Sequence, residues 1–387
     1  MTPALAVLNA GSSSLKFSVY RGDPPALVLR GQAEGFGTAP RFVVRDAAGV
    51  PLADEAVADS HVDAFRHLSA WLRGRYPGVS LSAVGHRVVH GGMHYAEPVL
   101  VDEAVLKRLE SLVPLAPLHQ PHNLSAIRAV REANPRLPQV ACFDTAFHRR
   151  HAKVVERYAL PGRYYREGIR RYGFHGLSYE YVAQAFREKA PDVASGRVVV
   201  AHLGSGASLC ALEDGRSVDT TMGFSALDGL PMATRSGSVD PGVLLYLLRE
   251  AGLSPGDLER LLYAESGLLG LSGLSGDMRT LLASDESEAR EAIDYFVFRV
   301  HRELGALMAV LGGLDALVFT AGVGENSAEI RGRICRAAAW TGLVLDEAAN
   351  RAGGPCISEA GTRPSAWVIP TDEEQMIARH TLTVLGR

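Results

Sequence analysis

Apolar and polar residues near the start of the chain predict two strands joined by a tight turn. Residues 5–8 form an unbroken apolar run, which is typical of a buried strand. A small, hydroxyl-rich turn follows at residues 9–14. The next segment alternates and predicts a second, half-buried strand, with Leu15, Phe17 and Val19 on one face and Lys16, Ser18 and Tyr20 on the other.

The turn between these strands combines groups that suit a phosphate. Gly11 lets the backbone turn tightly, so that its amides and the hydroxyls of Ser12 and Ser14 can converge, and Lys16 adds a cation. Backbone amides, hydroxyls and an ammonium group together are typical of a phosphate-binding site. For this stretch alone, an ordinary polar hairpin turn is an equally good interpretation.

A similar strand, glycine turn and strand recurs at residues 198–212. Its turn is Gly204-Ser205-Gly206, and both turns pass into the second strand through the dipeptide Ser-Leu. The spacing between the copies is far too long for a solenoid repeat. We therefore expect two related domains that each offer a phosphate-binding hairpin to a shared cleft.

Outside the hairpins, predicted strands and helices alternate, which indicates the α/β class. Strands are expected at 81–84, 139–143, 316–320 and 367–369. Helices are expected at 63–72, from the cap Asp102 to before Pro114, from the cap Ser178, along the apolar stripe 293–311 and at the end of the chain. The proline-rich segment 114–121 is expected to be a stiff loop. The last helix is expected to pack back on the first domain.

Composition narrows the class of protein. The 387 residues are enough for two domains, and 47% hydrophobic with 21% charged residues indicates a soluble globular chain. A net charge of −3 argues against an electrostatic nucleic-acid binder. Four scattered cysteines are expected to be reduced thiols, mostly in the core. The start of the chain lacks a basic leader and no apolar run reaches membrane-spanning length, which predicts a cytoplasmic protein.

Five ionisable residues stand singly beside glycine, proline or apolar neighbours: Arg87, His119, Asp144, His175 and Arg235. Any one of them could instead be a structural group that pairs with a carboxylate or a backbone carbonyl. Together they favour phosphoryl transfer, in which catalysis depends mostly on positioning and charge neutralisation. The chain has neither a Walker-type Gly-x-x-x-x-Gly-Lys-Ser/Thr motif nor a protein-kinase signature.

Eight short blocks, spread over essentially the whole chain, resemble the acetate kinase family in identity and in order. They are NAGSSSLK (9–16), HRVVHGG (86–92), FDTAFH (143–148), YGFHG (172–176), HLG (202–204), TRSG (234–237), GVGEN (322–326) and TDEE (371–374). The resemblance implies the acetate and sugar kinase/Hsp70/actin fold, with two ribonuclease-H-like domains flanking a cleft. We expect the two domains at residues 1–146 plus 375–387 and at residues 147–374, because the chain turns basic from Arg149 to Tyr158 and the last helix is expected to pack back on the first domain. The resemblance also implies reversible in-line transfer of phosphate from ATP to acetate, with Mg²⁺ (or Mn²⁺), and a homodimer.

The same resemblance implies roles for individual residues. Magnesium would be bound by Asn9 and Glu373. The transferring phosphoryl group would meet Ser12, Ser14, Lys16, Arg87, His175 and Arg235, with His119 nearby, and Asp144 would be a further catalytic residue. The acyl substrate would contact Arg87, Val89, Leu118, Phe174 and Ala226. The nucleotide would contact His202, Leu203, Gly204, Ser205, Gly206, Asp277, Met278, Arg279, Gly322, Val323, Gly324, Glu325 and Asn326.

Asp144 needs a separate interpretation, because the family often assigns it the role of a general base. Acetate is already ionised at neutral pH and has no proton to remove. We therefore expect Asp144 to orient an active-site arginine or a magnesium-bound water.

Three residues depart from the family pattern. Ala226 stands where proline is usual, which predicts a roomier acyl pocket and propionate as a second substrate. Ser205 and Gln120 both stand where asparagine is common. The first puts one nucleotide contact in doubt, and the second is expected to affect only the loop.

Two alternatives to acetate kinase stay open at this point. A propionate kinase would use the same machinery. An actin- or Hsp70-like ATP-dependent binding protein would explain both hairpins but would leave Arg87, His175 and Arg235 without a role.

Overall fold

The computed structural model describes residues 2–11, 14–57, 60–76 and 79–386. Contacts divide the chain into two compact units, Met1–Arg149 with Asp372–Arg387, and Arg150–Thr371. The boundaries expected from the sequence were after residues 146 and 374.

Thirteen strands are described. They are β1 (Thr2–Ala10), β2 (Ser14–Arg21), β3 (Ala26–Glu34), β4 (Arg41–Asp46), β5 (Pro51–Ala56), β6 (Val79–Val88), β7 (Val99–Leu100), β8 (Gln139–Phe143), β9 (Arg197–Leu203), β10 (Ala207–Glu213), β11 (Arg216–Thr220), β12 (Ala316–Thr320) and β13 (Ser365–Val368).

Sixteen α-helices are described, along with short 3₁₀ turns at Val113–Leu115, Ala146–His148 and Ala339–Thr341. The α-helices are α1 (His61–Arg75), α2 (Glu103–Glu110), α3 (Gln120–Ala133), α4 (Lys153–Glu156), α5 (Gly162–Arg166), α6 (Gly176–Lys189), α7 (Pro191–Ala194), α8 (Pro241–Arg249), α9 (Pro255–Ala264), α10 (Gly267–Ser272), α11 (Met278–Leu282), α12 (Ser287–Leu311), α13 (Ala321–Asn326), α14 (Ala328–Ala337), α15 (Glu347–Ala352) and α16 (Glu373–Val384).

The first unit is built on a sheet in the order β5-β4-β3-β2-β1-β6-β8-β7. The strands β1, β6 and β8 run parallel, and β1 pairs antiparallel with β2. On one face of β1, Ala4, Ala6 and Leu8 pack in a core with residues of α1 and α3. Because side chains alternate along a strand, the other face is free to receive α16, which contacts β1, β6 and β8.

The second unit has a sheet in the order β11-β10-β9-β12-β13. Here β9, β12 and β13 run parallel, and β10 pairs antiparallel with β9. The long helix α12 packs on β9, β10 and β11, and α6 also contacts β9. All five residues of β12 are buried, as expected for a parallel strand covered on both faces. The α/β class and the two-sheet architecture predicted from the sequence are confirmed.

The prediction of a half-buried β2 is confirmed for the buried Leu15, Phe17 and Val19 and the exposed Lys16, but it is wrong for Ser18 and Tyr20. Ser18 is 0% and Tyr20 2% exposed, although both were assigned to the polar face. The reason is α16, because the Ser18 hydroxyl donates a hydrogen bond to the Glu374 carboxylate next to the start of that helix. A distant segment of the chain thus covers the face that local alternation marked as exposed.

The prediction of a stiff loop at residues 114–121 is wrong at both ends. A 3₁₀ turn occupies Val113–Leu115, and α3 already begins at Gln120. Pro121 lies in the first turn of α3, where its missing N–H costs nothing. This helix was not predicted from the sequence, and it buries Leu124, Ile127 and Val130 among other residues.

The N-cap predicted for the next helix is also wrong. The helix α6 begins at Gly176 with His175 in the cap position, and Ser178 lies inside its first turn. Ser178 is fully buried, and its hydroxyl contacts His202 and Thr371 instead of a backbone amide.

Other local predictions are confirmed. Asp102 caps α2, where its Oδ1 accepts a hydrogen bond from the Val105 N–H at 2.7 Å. The expected apolar stripe lies within α12. The cysteines are free thiols, and Cys142, Cys210 and Cys335 are buried. Within the described ranges, no helix combines the length and apolar composition needed to cross a membrane.

Candidate active site

The first unit gathers charged groups at one end of its parallel strands. Arg87 is close to the end of β6, Asp144 follows β8, and Glu373 opens α16. Arg87 Nε donates to Asp144 Oδ1 at 3.0 Å and to Oδ2 at 3.1 Å, and Arg87 Nη2 donates to Oδ2 at 2.8 Å. Its remaining nitrogen, Nη1, lies 3.3 Å from Glu373 Oε2. Adjacent parallel strands end at the same edge of a sheet, which brings residues 57 positions apart together here.

These charges are largely removed from water. The side chain of Asp144 is 2% exposed, whereas those of Arg87 and Glu373 are 24% and 20% exposed. Burial disfavours the charged guanidinium, but Asp144 and Glu373 outweigh it and raise the pKa of Arg87 above its usual value. Burial likewise raises the pKa of Asp144, against the opposing effect of Arg87. Arg87 therefore offsets part of the cost of burying the Asp144 carboxylate.

The hairpin of the first unit places its polar groups beside these strand ends. Asn9, half-buried, pairs in register with the exposed Lys16. The Gly11 N–H donates to the Ser14 carbonyl at 2.8 Å, which closes the turn. Ser12, predicted as a phosphate ligand, lies outside the described residues.

The predicted acyl-binding residues of this unit differ in exposure. Val89 follows β6 and is 9% exposed, whereas Leu118 precedes α3 and is 45% exposed. His119 occupies the cap position of α3. It acts electrostatically on Asp144 and lowers the pKa of that carboxyl, although burial has the larger effect.

The buried side-chain amides of Asn123 and Gln120, both on α3, hold the backbone of the segment after β6, at Val89 and His90. Asn123 Oδ1 accepts from the Val89 N–H at 3.0 Å, and its Nδ2 donates to the Ala10 carbonyl at 3.1 Å. Gln120 accepts from the His90 N–H at 3.3 Å and donates to the His90 carbonyl at 3.2 Å. The expectation that Gln120 affects only a loop is wrong, since it is fully buried at the start of a helix. Sequence reasoning missed Asn123, because it missed α3.

In the second unit, two histidine rings stack beside the repeated hairpin. The rings of His175 and His202 lie 4.1 Å apart between centroids, at an interplanar angle of 18°. His175 Nδ1 lies 2.8 Å from Ser208 Oγ, and His202 Nδ1 lies 2.8 Å from Ser178 Oγ. Each ring is therefore anchored through Nδ1 by a buried serine. Neither serine was predicted from the sequence as a site residue.

Arg235 and His175 converge on the glycine turn. A Cβ added to Gly206 would lie 3.2 Å from His175 Nε2 and 3.6 Å from Arg235 Nη2. Arg235 Nη1 also donates to the carbonyl of Ala226 at 2.8 Å, so this predicted acyl-pocket residue holds the arginine through its backbone. Phe174, the other pocket residue of this unit, is 2% exposed.

A cavity of about 820 Å³ opens in the second unit next to the same turn. Its walls include eight of the predicted nucleotide-binding residues: Gly204, Ser205, Asp277, Met278, Arg279, Gly322, Val323 and Asn326. Leu268, Leu282 and Phe296 add an apolar surface that the sequence analysis did not assign. An apolar pocket rimmed by glycine turns suits a flat base with attached phosphates.

The remaining predicted nucleotide residues do not line this cavity. Leu203 and Gly324 are buried. His202 stacks on His175, and Gly206 lies in the turn that His175 and Arg235 approach. Glu325 turns its carboxylate to the backbone, accepting from the N–H of Ala321 at 2.8 Å and of Thr371 at 3.1 Å. It thereby caps the start of α13, the helix that carries Gly322 and Val323.

Comparison with known proteins agrees with this geometry. Residues 4–379 match the model of the acetokinase family. The chain belongs to the acetokinase family. An acetate kinase of Methylocella silvestris is 53% identical over 400 residues, covering 100% of this chain and 99% of that protein.

Two solved structures of family members also match. A propionate kinase from Francisella tularensis superposes with a TM-score of 0.93 at 36% identity, covering 99% of this chain and 100% of the other. The acetate kinase of Porphyromonas gingivalis superposes with a TM-score of 0.90, also at 36% identity and with the same coverage. As a member of the acetokinase family, the chain is a kinase that has the two-domain fold of the acetate and sugar kinase/Hsp70/actin superfamily.

Proposed function

We propose that this chain is an acetate kinase, which transfers the γ-phosphoryl group of ATP to the carboxylate of acetate. The observation that carries the proposal is the match along the whole chain, at 53% identity, to a relative named acetate kinase. The geometry supports it with a buried arginine and acidic cluster in one unit and a large pocket rimmed by glycine turns in the other.

The reaction needs no general base. An oxygen of the ionised acetate attacks the γ-phosphorus, the new O–P bond forms, and the bond to the bridging oxygen of ADP breaks. ADP leaves with that electron pair, and the reverse reaction follows the same path. The bidentate pair between Asp144 and Arg87 supports an orienting role for Asp144.

The role of Asp144 can be tested with Asp144→Asn. If Asp144 only orients Arg87, this variant, which keeps an amide oxygen that can accept from Arg87, should retain more activity than Asp144→Ala. Equal loss of rate in the two variants, neither of which can accept a proton as a base does, would contradict the orienting role.

Within the first unit, we propose that Arg87 holds the carboxylate of the acyl substrate while Val89 and Leu118 contact its methyl group. Glu373 offsets part of the positive charge of Arg87. Within the second unit, His175 and Arg235 donate hydrogen bonds to the phosphoryl oxygens, and the 820 Å³ cavity takes the adenosine. Lys16 and Ser14 of the first hairpin contribute to phosphoryl binding.

We propose Mg²⁺ as the metal, with Asn9 and Glu373 as its protein ligands. One amide and one carboxylate oxygen fit a hard cation that keeps most of its ligands as waters and phosphate oxygens. Among the described residues, no group of three or more His, Cys, Asp or Glu gathers into a metal cluster, and a site with two protein oxygens does not need one. When bound, Mg²⁺ neutralises phosphate charge. Loss of Mg²⁺-dependent quenching of a fluorescent ADP analogue in Glu373→Gln would support this assignment.

Propionate is a second candidate substrate. A structural relative at 36% identity is named a propionate kinase, and Ala226 lacks the ring of a proline. One methylene changes discrimination by only about 1–3 kcal/mol, so we expect propionate to react more slowly than acetate rather than not at all.

A hydroxamate assay for acyl phosphates tests the proposed function. Purified protein is given ATP and Mg²⁺ with acetate, propionate or butyrate, and Ala226→Pro is assayed in parallel. We expect the highest kcat/KM with acetate and a lower propionate-to-acetate ratio in Ala226→Pro. Failure to form acetyl phosphate would contradict the proposal. An unchanged ratio would contradict the role of Ala226.

We also propose that the protein is a homodimer through the surface of α8. None of the nine residues of α8 is buried, although the helix carries Val243, Leu245 and Tyr246 at 46%, 49% and 62% exposure. An apolar helix left exposed in a single chain marks an association surface. Light scattering should give a mass twice that of one chain, which is 41.4 kDa. Leu245→Glu should lower the measured mass to that of a single chain.

A further inference from the structure

We propose that Glu325 is a positioning residue for the nucleotide and is not one of its ligands. Its carboxylate holds the turn before Gly322 in a strained conformation, and this turn leads into one wall of the 820 Å³ cavity. That the cavity takes a nucleotide rests on the proposed function, whereas the strained turn and the carboxylate that holds it are properties of the chain itself.

The strain lies at Ala321, the first residue of α13. Its φ of 64° is in the left-handed region, which a residue with a Cβ rarely adopts. Asparagine or aspartate can compensate there with a local hydrogen bond from the side chain, but alanine has no polar group to do so. The surrounding structure therefore has to hold Ala321 in this conformation.

Glu325 supplies the contact that holds it. Its Oε1 accepts from the Ala321 N–H at 2.8 Å and from the Thr371 N–H at 3.1 Å, and the Thr320 hydroxyl lies 3.4 Å away. Thr320 occupies the cap position of α13, but its own side chain makes no capping hydrogen bond, so Glu325 satisfies the first amide of the helix instead. Because Thr371 follows β13, a single oxygen ties the turn to a segment 46 positions away from Glu325.

The turn held in this way stands against the glycine turn of the repeated hairpin. A Cβ added to Gly204 would lie 3.5 Å from the Ala321 Cβ and 3.9 Å from the Gly322 nitrogen. Gly204, Gly322 and Val323 all line the cavity. A change of φ at Ala321 would therefore move one wall of the cavity relative to the other.

The carboxylate acts on the cavity only through this turn. Among the described residues that line the cavity, neither Glu325 nor any of the three partners of its Oε1 is found. The far end of α13 is fixed separately, because the buried Arg331 donates from Nη1 to the carbonyls of Gly324 at 2.9 Å and Glu325 at 2.7 Å. Loss of the carboxylate should therefore release the start of the helix and leave its end in place.

The binding of a fluorescent ADP analogue to the full-length protein with Mg²⁺ tests this role. We expect Glu325→Ala to bind the analogue about tenfold more weakly, because an alanine that nothing holds leaves the left-handed conformation most of the time. In an Ala321→Gly background, the same removal of Glu325 should weaken binding less than threefold, because glycine adopts this conformation without a penalty. Glu329→Ala, the matched variant on α14 whose carboxylate pairs with Arg333, should bind the analogue as the wild type does.

Two conservative variants keep the test decisive even if Glu325→Ala does not fold. Glu325→Gln keeps an oxygen that can accept from both N–H groups, whereas Glu325→Asp keeps the charge on a side chain that is one methylene shorter. We expect Glu325→Gln to stay within threefold of the wild-type affinity and Glu325→Asp to bind about tenfold more weakly. The opposite order would show that Glu325 acts through its charge, and it would overturn the proposal.

Hydrogen exchange reads the same contacts without a nucleotide. In ligand-free Glu325→Ala, the amides of Ala321 and Thr371 should exchange at least tenfold faster than in the wild type, whereas Glu329→Ala should keep the wild-type rates. Unchanged exchange at both amides in Glu325→Ala would overturn the proposal.

Kinetics adds a split between the two substrates that a general loss of packing would not reproduce. We expect Glu325→Ala to raise KM for ATP about tenfold with less than a twofold change in KM for acetate. If removing Glu325 weakened the binding of the analogue equally with and without Ala321→Gly, Glu325 would contact the nucleotide directly and the proposal would be wrong. If the affinities are as expected but the wild type forms no acetyl phosphate, the proposed function fails and the positioning role of Glu325 stands.

Discussion

The two units share one strand plan and differ in what they place on it. In the first, the order β3-β2-β1-β6-β8 gives a hairpin followed by two parallel strands, and in the second β11-β10-β9-β12-β13 repeats it. The first sheet extends this plan with β4 and β5 at one edge and β7 at the other. The strand ends of the first unit carry a buried ion pair, and those of the second carry a histidine stack beside a cavity.

This difference shows that the shared fold fixes where a site can form, whereas the side chains decide its chemistry. Charges at the end of β6 and β8 suit a small anionic substrate and a metal. The histidine and arginine donors of the second unit, next to a cavity with apolar walls, suit a nucleotide. Variants that remove the charge from the first unit or crowd the turn of the second should therefore affect different properties.

Removing the cation of the first unit should have the largest effect. We expect Arg87→Met to lower kcat/KM for acetate on the order of 10³-fold, since arginines that neutralise a transferring phosphoryl group contribute this much. The variant also leaves the buried Asp144 unpaired, which should reduce the free energy of unfolding by about 3–5 kcal/mol.

The double variant Arg87→Met/Asp144→Asn separates these two losses. It removes the uncompensated charge, so urea denaturation should show much of the stability restored while the hydroxamate assay stays low. Recovery of activity together with stability would mean that Arg87 has a structural role and does not bind substrate.

Only some of the polar residues of the candidate active site could be predicted from the sequence. Arg87 and Asp144 were identifiable because each stands next to a predicted strand, and parallel strands end together. Gln120 and Asn123 were not, because the prolines before them argued for a loop and concealed the start of α3. Ser208 carried no signal, since a buried hydroxyl in an apolar segment is distinguished only by its three-dimensional neighbours.

The same limit applies to the fold. Strand and helix alternation predicted the class, and the repeated hairpin predicted two related sheets. The burial of Ser18 depended on contact with Glu374, 356 positions away, and no local pattern encodes that contact.

Two buried histidines should make the stability of the first unit fall at acid pH. His86 is 1% exposed, and burial lowers its pKa from 6.5 to about 4, against a hydrogen bond to Gln139. Burial similarly lowers the pKa of His90 to about 3. A histidine with a depressed folded pKa contributes stability above pH 6.5 and loses it as the pH falls toward the folded value, because the unfolded chain binds the proton first.

For His86 alone, this loss should be about 2 kcal/mol between pH 7 and pH 5. We expect His86→Gln, which keeps a polar group opposite Gln139, to flatten the dependence of the unfolding free energy on pH by this amount. Urea denaturation at both pH values measures it. A wild-type slope retained in His86→Gln would show that other groups cause the acid sensitivity.

Crowding the turn of the second unit should have the smallest effect. In Gly206→Ala, the new Cβ would lie 3.2 Å from His175 Nε2, so the ring must move by a few tenths of an ångström. Misplacement by about 1 Å can cost 10²-fold in rate, so a smaller displacement should lower kcat about tenfold. The free energy of unfolding should hardly change, since Gly206 does not have the positive φ that alanine resists.

Gly305→Ala is the matched control, because nothing lies within 4 Å of its added Cβ on α12. It should keep wild-type kcat and gain about 0.5–1 kcal/mol of stability from the better helix propensity of alanine. If Gly206→Ala also kept wild-type kcat, the turn would accommodate an added methyl group despite the close approach of His175 and Arg235. The histidine stack would then be a packing feature of the second unit, and the contrast with the charged site of the first would lose its catalytic meaning.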